Sequence, residues 1–430
     1  MIGSPTATSL AVLEMAQRGQ FEEIRELFAP SLRPMVTAEA LRLAWATALE
    51  QHGSVTSIGT PLAEPAGPGV TAVKVPLTFE HGVATLVISA TATGSLAGIQ
   101  LASAAAAEPM DEWRPPEYAD SGYFNEHEVT LGSGSLAVTG TLSVPNGDSP
   151  SPALVLLSGS GPLDRDETIG RNRPFKDLAW GLAARGVAIL RFDKVTYSHP
   201  DEVKRAENFT VVDEYLPATL AAVAALRKHP AIDPQRIFLL GHSLGGTVAP
   251  RIAEHERSIA GLVLLAGGSE PMYWSVVRQL QHLASLDPNT SAASAPAIAE
   301  MSERARRVDS PDLSPSTPAD GLPFGIPAPY WLDLRGYDPV ATAARLDLPI
   351  LILQGGRDYQ VTVADDLARW SSGLSASPAV EIRIYPADNH MFFPGTGPST
   401  AAEYEPAQHL DVAVIDDIAE WLSNLGSAPR

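Results

Sequence analysis

The order of helical and β-rich patterns up to about residue 107 differs from the order in the rest of the chain. Helical spacing, with apolar residues three or four positions apart, covers residues 10–18, 21–27 and 37–51. Apolar and β-branched residues then dominate the runs 55–58, 70–79, 83–92 and 95–102. Helices followed by a meander of strands predict a small α+β domain over residues 1–107.

One turn and one helix of this domain are predicted in more detail. Glu80-His81-Gly82 separates two of the β-rich runs and predicts a hairpin turn. The third helix has a set of expected core positions: Leu41, Leu43, Trp45 and Leu49. Its two histidines, His52 and His81, are candidates for catalysis, but isolated histidines are more typical of a surface or a turn. We assign this domain a packing, lid or dimerisation role.

Residues 108–125 differ from the segments on either side. Prolines are frequent there, and Trp113, Tyr118, Tyr123 and Phe124 supply aromatic side chains. Because proline disfavours helices and central strands, the pattern predicts an extended linker. The aromatic side chains predict that this linker packs against a surface.

The chain from residue 126 onward alternates between strands and helices. Apolar, β-rich runs occupy residues 126–131, 136–144, 153–157, 187–192, 237–240, 259–265, 349–353 and 380–385. Helical patterns occupy residues 175–185, 211–229, 247–256, 364–373 and 412–425. Apolar strands that alternate with helices form mostly parallel sheets with helices on both faces. We therefore predict an α/β domain over residues 126–430.

Residues 269–348 interrupt this alternation. Helical patterns at 273–286 and 296–308 precede a stretch rich in proline and serine at 310–329, and a further helical pattern covers 330–335. An insertion between two core strands predicts a helical cap over the C-terminal edge of the sheet, which is where ligands bind in such folds.

The composition then limits the classes of partner. The 430 residues carry a formal net charge of −20, which argues against nucleic acid and anionic membranes as partners. Cysteine is absent, so disulfides, thiolate zinc sites and cysteine nucleophiles are excluded. We expect a small-molecule substrate, no cofactor and no metal. The sequence leaves open whether the protein forms a homodimer.

Two further sequence features bear on location. No apolar run reaches the length of a membrane span. Residues 1–13 lack the basic region and the apolar core of a secretion signal. We therefore expect a cytoplasmic protein.

The candidate chemistry begins at Gly241-His242-Ser243-Leu244-Gly245, where a β-rich run ends and a helical pattern follows. This arrangement predicts a nucleophile elbow, in which a serine hydroxyl projects from a tight strand-to-helix turn. The small residues on either side permit the sharp turn. The helix N-terminus offers backbone N–H groups to a developing negative charge.

A nucleophilic serine needs a base, and the base needs an acid that orients it. Asp358 follows one predicted strand after a Gly355-Gly356 turn, and His390 follows the next strand. Because parallel strands end at the same edge of a sheet, we expect Ser243, Asp358 and His390 to meet there. Their order along the chain is that of α/β-hydrolases.

Asp358 has rivals as the orienting acid in Asp365, Asp366 and Asp388. We expect Asp388, two residues before His390, to shape the loop instead. His242 adjoins the serine, and we expect it to pack. An oxyanion hole needs two N–H donors. We predict the N–H groups of Leu244 and of Ser160, with Gly161 as the alternative to Ser160.

Four segments together are similar to the serine α/β-hydrolases described as EstD-like esterases: the elbow, the Gly-Gly-Arg-Asp turn at 355–358, the Asn-His loop at 389–390 and the segment 158–166. The resemblance implies carboxylic-ester hydrolysis through an acyl-enzyme on Ser243. The small domain at 1–107 resembles, in its pattern, the cone-shaped domain related to nuclear transport factor 2 (NTF2-like) that precedes some of these hydrolases.

Further polar residues near the predicted site have two interpretations each. Asp164 and Arg165, with Asp166, either border the substrate pocket or pair with one another on the surface. Lys194 and Tyr197 follow a strand end and are candidates for substrate contact. The same triad also permits acyl transfer, lactone formation or cleavage, or peptide hydrolysis, and a non-catalytic binder is the remaining alternative.

Overall fold

The computed structural model describes residues 4–29, 32–33, 36–66, 69–91, 93–102, 113–286 and 288–427. The chain divides into two units. One consists of Met1–Asp111 with Val276–Ala328, and the other of Glu112–Ser275 with Pro329–Arg430. The predicted cap is therefore divided, since residues 276–328 group with the N-terminal segment and not with the α/β domain.

The helices of the described residues are α1 (Pro5–Gln17), α2 (Phe21–Leu27), α3 (Ala38–His52), α4 (Pro174–Ala183), α5 (Val195–Ser198), α6 (Pro200–Arg205), α7 (Val211–Lys228), α8 (Leu244–His255), α9 (Met272–Leu286), α10 (Pro288–Asp309), α11 (Ala328–Arg335), α12 (Pro339–Ala343), α13 (Ala368–Gly373) and α14 (Val412–Ser427). A π-helical turn, Val363–Leu367, directly precedes α13. The short helices α5, α6 and α12 are not predicted from the sequence, because four to six residues hold too little periodicity.

The strands are β1 (Val55–Ile58), β2 (Leu62–Pro65), β3 (Val70–Phe79), β4 (Gly82–Thr91), β5 (Leu96–Ala102), β6 (Phe124–Leu131), β7 (Val138–Pro145), β8 (Ser151–Leu157), β9 (Ala188–Phe192), β10 (Ile232–His242), β11 (Leu262–Leu265), β12 (Ile350–Gly355) and β13 (Val380–Tyr385). The strand β2 is not predicted from the sequence, because it has only four residues and one of them is a proline.

The first unit contains an antiparallel sheet in the order β1-β3-β4-β5, with β2 also paired to β3. Its core joins apolar side chains of β3 and β4 to those of α1 and α2, among them Val75, Ile88, Leu13 and Ile24. Leu49, an expected core position of α3, is 36% exposed, whereas the residue before it, Ala48, is buried. The expectation for Leu49 is therefore wrong, because the buried side of the helix lies one position earlier. The α+β layout is as predicted, and its relation to the NTF2-like fold stays a prediction.

The helix α10 explains why residues 276–328 belong to this first unit. It contacts α3. Within the inserted segment, the buried side chain of Arg304 donates to the Leu322 carbonyl at 3.0 Å and pairs with Glu300 at 2.9 Å. The contact with α3 joins elements almost 250 positions apart, and periodicity along the chain carries no signal for such a contact.

The second unit contains a sheet of eight strands in the order β13-β12-β11-β10-β8-β9-β7-β6. The strands from β9 to β13 pair in parallel, and β6 and β7 add an antiparallel edge. This confirms the predicted mostly parallel sheet. One face packs against α4 and α14 through Leu178, Leu182, Ile415 and Trp421. On the same sheet β10 contacts α7 and α8.

The described part of the predicted linker, from residue 113, packs within this second unit. The Trp113 indole N–H donates to Asp177 at 2.9 Å, and its ring meets Trp180 edge to face. The Tyr118 hydroxyl donates to the Leu410 carbonyl at 3.1 Å. The predicted packing therefore agrees with the structure for Trp113 and Tyr118 but not for Tyr123, which is 60% exposed. Residues 108–112 lie outside the described residues.

The parallel strands position the candidate site. The strands β8, β10, β12 and β13 end at the same edge of the sheet, and the loops that follow them carry residues 158–162, Ser243, Asp358 and His390. Each candidate residue thus lies in a loop that directly follows one of these parallel strands, which places all four loops at one edge of the sheet.

Candidate active site

Ser243 lies in a strained turn between β10 and α8. Its backbone has φ +52° and ψ −119°, a left-handed conformation that costs a non-glycine residue about 1–3 kcal/mol. The Ser243 N–H donates to the Leu265 carbonyl at 2.9 Å. The helix begins at Leu244, three residues before the predicted start, so its N-terminus lies directly at the serine.

The glycines of this turn are required by close backbone contacts. A Cβ atom on Gly245 would lie 2.0 Å from the Leu157 carbonyl oxygen, and one on Gly241 would lie 2.3 Å from the Gly245 carbonyl oxygen. No side chain tolerates such distances. The Gly-x-Ser-x-Gly pattern therefore follows from the packing of the helix against the end of β8.

His390 and Asp358 meet in a buried hydrogen bond. The Nδ1 atom of His390 lies 2.7 Å from Oδ2 of Asp358, and the two residues are 2% and 5% exposed. A carboxylate accepts, so Nδ1 carries the proton and Nε2 is the nitrogen that can accept one. Asp358 also accepts from the Gln360 and Val361 N–H groups and from the Gln354 amide, which fixes both of its oxygens.

Two of the three rival acids, Asp365 and Asp366, are held by hydrogen bonds elsewhere, and the third, Asp388, does not shape its loop through side-chain hydrogen bonds as expected. Asp365 accepts from Thr362, and Asp366 accepts from three backbone N–H groups, those of Ser269, Glu270 and Thr362. Asp388 is buried, and neither of its carboxylate oxygens has a hydrogen-bond partner among the described residues. Burial, with a smaller contribution from Asp411, raises the pKa of Asp388 to about 7.

The loop that carries His390 is held by its neighbour Asn389. The Asn389 side-chain oxygen accepts from the Met391 and Phe393 N–H groups, at 3.0 and 3.2 Å. A Cβ atom on Gly355 would lie 2.4 Å from the Asn389 carbonyl oxygen. The glycine turn after β12 and the His390 loop therefore pack backbone to backbone, which brings the acid and the base together.

The loop after β8 passes directly against the serine. A Cβ atom on Gly159 would lie 3.3 Å from Cβ of Ser243. Ser160 is exposed, and Gly161 has φ +92°. Within the described residues the backbone N–H groups of Leu244 and Ser160 have no acceptor. Both predicted oxyanion donors are thus free of competing hydrogen bonds, and their role stays a prediction.

The substrate contact predicted for Lys194 has no support from its hydrogen bonds. The side chain is 2% exposed, and its ammonium contacts the Gly159 carbonyl, the Tyr215 hydroxyl and the Glu214 carboxylate, at 2.8, 2.9 and 2.9 Å. Burial lowers the pKa of Lys194, and the Glu214 carboxylate opposes that shift. The buried Tyr330 hydroxyl donates to the other Glu214 oxygen at 2.6 Å.

Arg165 and Asp164 are also engaged with protein groups. The Arg165 guanidinium donates to Asp193 and Glu128, and to two threonines of β7. Asp164 accepts from the N–H and the hydroxyl of Thr168. Asp166 pairs with Arg191 and Arg173. The three residues are thus paired with residues outside their own cluster, so the expected mutual pairing is wrong, and a place beside the substrate pocket stays a prediction. Tyr197 is partly exposed, and its substrate role stays a prediction.

One buried residue of the site, Glu167, is not predicted from the sequence, and a second, His242, has contacts beyond the packing expected for it. Glu167 is 1% exposed, and its Oε1 accepts from the Gly159 N–H at 2.6 Å and contacts Nδ1 of His242 at 3.0 Å. The other ring nitrogen, Nε2, lies 3.0 Å from the His390 carbonyl oxygen. His242 therefore does more than pack. Glu167 belongs to a run of charged residues, and nothing local marks its pairing with a histidine 75 positions away.

Comparison with known proteins decides the class. A sequence model of the Alpha/beta hydrolase family matches residues 154–399, more than half of the chain. The chain belongs to the α/β-hydrolase family. The hydrolase is 35% identical to esterase EstD of Thermotoga maritima over 346 residues, which cover 80% of this chain and 78% of that protein. This confirms the resemblance drawn from the four motif segments.

Two other similarities are more distant. The hydrolase is 30% identical to 2,6-dihydropseudooxynicotine hydrolase of Paenarthrobacter nicotinovorans over 133 residues, 31% of this chain and 33% of that protein. The solved structure of Est1E from Butyrivibrio proteoclasticus matches with a TM-score of 0.45 and 17% identity, over 70% of this chain and 99% of that one.

None of the described helices combines the length and the apolar character needed to cross a membrane. In the same part of the hydrolase, no three His, Asp or Glu side chains are grouped as metal ligands would be.

Proposed function

We propose that Ser243, His390 and Asp358 form the catalytic triad of this hydrolase, which cleaves carboxylic esters through an acyl-enzyme on Ser243. The observation that carries the proposal is the 2.7 Å hydrogen bond between His390 and Asp358, at the sheet edge where the strained elbow presents Ser243. The similarity to an esterase over 80% of the chain supports the same reaction class. The enzyme is a carboxylesterase-like hydrolase.

Acylation begins when the Ser243 Oγ attacks the carbonyl carbon of the ester. Nε2 of His390 takes the hydroxyl proton, and Asp358 holds the ring in the tautomer that leaves Nε2 free to accept it. The π electrons of the carbonyl group move to its oxygen, which becomes the oxyanion of a tetrahedral intermediate. When the tetrahedral intermediate collapses, His390 returns the proton to the departing alkoxide, and the acyl group remains on Ser243.

Deacylation repeats these steps with water. His390 takes a proton from the water molecule as its oxygen attacks the acyl carbon, and then returns the proton to the Ser243 oxygen as the carboxylic acid leaves. Each oxyanion forms beside the N–H groups of Leu244 and Ser160, and loss of one such donor typically lowers kcat by about 10²–10³-fold. Hydrolysis and acyl transfer share this acyl-enzyme and differ only in the final acceptor.

The test uses Ser243→Ala and p-nitrophenyl acetate. We expect the variant to unfold at the same temperature as the wild type and to lose at least about 10³-fold in kcat/KM. A fluorophosphonate probe should label the wild type but not the variant. The matched control is Ser375→Ala, which removes an exposed serine hydroxyl and should leave both readouts unchanged. Retained turnover in folded Ser243→Ala would overturn the assignment.

A further inference from the structure

The two polar groups of Gly159 are held from opposite sides by buried side chains. Its N–H donates to Oε1 of Glu167 at 2.6 Å. Its carbonyl oxygen accepts from the Lys194 ammonium at 2.8 Å and from the Tyr215 hydroxyl at 3.0 Å. The three side chains are 1%, 2% and 2% exposed. A surface loop rarely receives so much buried polar support.

The peptide geometry makes this support relevant to catalysis. The Gly159 carbonyl and the Ser160 N–H belong to one peptide group, which is planar and trans. The two bonds therefore point in opposite directions. Whatever fixes the carbonyl of Gly159 fixes the direction of the Ser160 N–H as well. Glycine has no side chain to resist a peptide flip, so an external hold is needed.

The Lys194 ammonium is fully used in this hold. It has three N–H donors, and the three acceptors within reach are the Gly159 carbonyl, the Tyr215 hydroxyl and the Glu214 carboxylate. The single hydroxyl proton of Tyr215 is in turn shared between the Ser158 and Gly159 carbonyls, at 2.8 and 3.0 Å. A buried network with every donor satisfied is rigid and costly to rearrange.

Glu167 is held on its own side by His242. The Nε2 atom of His242 faces the His390 carbonyl, which only accepts, and Nδ1 faces the Glu167 oxygen that already accepts from Gly159. Both ring nitrogens therefore carry protons. Although burial opposes the charged ring, the Glu167 carboxylate raises the pKa of His242, with smaller contributions from the His390 carbonyl and Asp358.

The backbone of Glu167 gives independent evidence for this hold. Its φ of +52° is unfavourable for a residue with a side chain. Such strain persists where the surroundings determine the conformation, and here the carboxylate is anchored by Gly159 and His242.

We propose that Lys194, Tyr215 and Glu167 act as positioning residues that clamp the two peptide groups on either side of Gly159, so that the Ser160 N–H is aimed at the oxyanion before substrate binds. Lys194 and Tyr215 hold the Gly159–Ser160 peptide through its carbonyl, and Glu167 holds the preceding Ser158–Gly159 peptide through its N–H. The proposal rests on the esterase function proposed above. In this proposal the geometry of the oxyanion hole depends on side chains that do not contact the substrate. Removal of the clamp should therefore lower kcat without a matching rise in KM.

Three substitutions test the clamp with p-nitrophenyl acetate as substrate. Lys194→Met and Glu167→Ala should each lower kcat by about 10²-fold while KM stays within about threefold. Tyr215→Phe should lower kcat about tenfold, since the ammonium remains. Glu167→Gln keeps an acceptor for the Gly159 N–H and should restore most of the activity lost in Glu167→Ala.

A second readout reports the oxyanion hole directly. Butylboronic acid forms a tetrahedral adduct with a nucleophilic serine, and its affinity should fall in parallel with kcat in the clamp variants. The control for stability is Asp177→Asn, which disturbs another buried carboxylate bonded to a histidine. It should lower the unfolding temperature and leave kcat and boronic acid affinity unchanged.

The outcomes separate the clamp from the proposed function. A kcat of Lys194→Met and Glu167→Ala within threefold of the wild type, in an enzyme whose turnover requires Ser243, would overturn the clamp alone. A rise in KM that accounts for the loss in kcat/KM, or no recovery in Glu167→Gln, would also overturn it. If the wild-type enzyme shows no turnover, or turnover that does not depend on Ser243, the proposed function and the clamp are overturned together. If Lys194→Met does not fold, Tyr215→Phe and the two Glu167 variants decide.

Discussion

Asp358 contacts His390 through Oδ2, while its other oxygen, Oδ1, accepts two backbone N–H groups at 2.8 and 3.0 Å. The backbone thus dictates which oxygen faces the histidine. An asparagine at this position would have to keep its oxygen on the backbone side, because an NH₂ group there would meet two donors. Its NH₂ group would then face Nδ1 of His390.

Asp358→Asn should therefore trap His390 in the tautomer with the proton on Nε2, where the ring cannot accept the proton of Ser243. We expect kcat for p-nitrophenyl acetate to fall about 10⁴-fold with KM little changed. The control is Asp365→Asn, which alters an exposed acid bonded to Thr362 and should retain wild-type activity. Activity of Asp358→Asn within tenfold of the wild type would show that another group orients the base.

Gly245→Ala should break the elbow. The added Cβ would lie 2.0 Å from the Leu157 carbonyl oxygen, a backbone atom that cannot move aside as a side chain would. We expect a loss of about 3 kcal/mol in the free energy of unfolding, together with loss of esterase activity. Gly147→Ala is the matched control, since a Cβ there meets nothing within 4 Å. Equal stability of the two variants in urea would contradict the required close contact.

Asp388 should make the stability depend on pH. Its pKa is about 7 in the folded protein, well above the value of about 3.9 in an unfolded chain. The folded state therefore binds more protons between these values, and the free energy of unfolding should fall as pH rises from about 4 to about 7, by at most about 1.4 kcal/mol per pH unit. Other titrating groups also change the free energy of unfolding with pH. Comparison with a variant that lacks the Asp388 carboxylate isolates the contribution of Asp388.

Asp388→Asn mimics the protonated carboxyl and should remove this slope. The free energy of unfolding is measured in urea at pH 5 and pH 8 for both proteins. The value for the variant minus that for the wild type should be greater at pH 8 than at pH 5. Asp365→Asn again serves as the control, because its carboxylate is exposed. A stability difference that is the same at both pH values would mean that Asp388 is ionised in the folded enzyme.

The parallel strands of the second unit and the long helices between them are predictable from the sequence, because buried parallel strands are continuous apolar runs and long helices show clear periodicity. The sequence also located Ser243, Asp358 and His390 at strand ends, and the hydrogen bond between the last two agrees with that prediction. Local spacing was enough here, since a parallel sheet brings all its strand ends to one edge.

The support around these residues was not predictable in the same way. Lys194 looked like a substrate contact because it follows a strand end, yet its side chain turns inward to Gly159 and Glu214. Glu167 and His242 pair across 75 positions. Such pairs depend on which loops face each other after folding, and no periodicity in the chain records that.

The grouping of Val276–Ala328 with Met1–Asp111 has a consequence for synthesis of the chain. A ribosome that has released residues 1–275 has delivered the nucleophile and the oxyanion loop, but neither the acid nor the base. It has also delivered the amino-terminal helices and sheet without the segment that completes their unit. Each unit therefore needs residues that are synthesised after the other unit has begun to form. The proposed triad is complete only when His390 has been added.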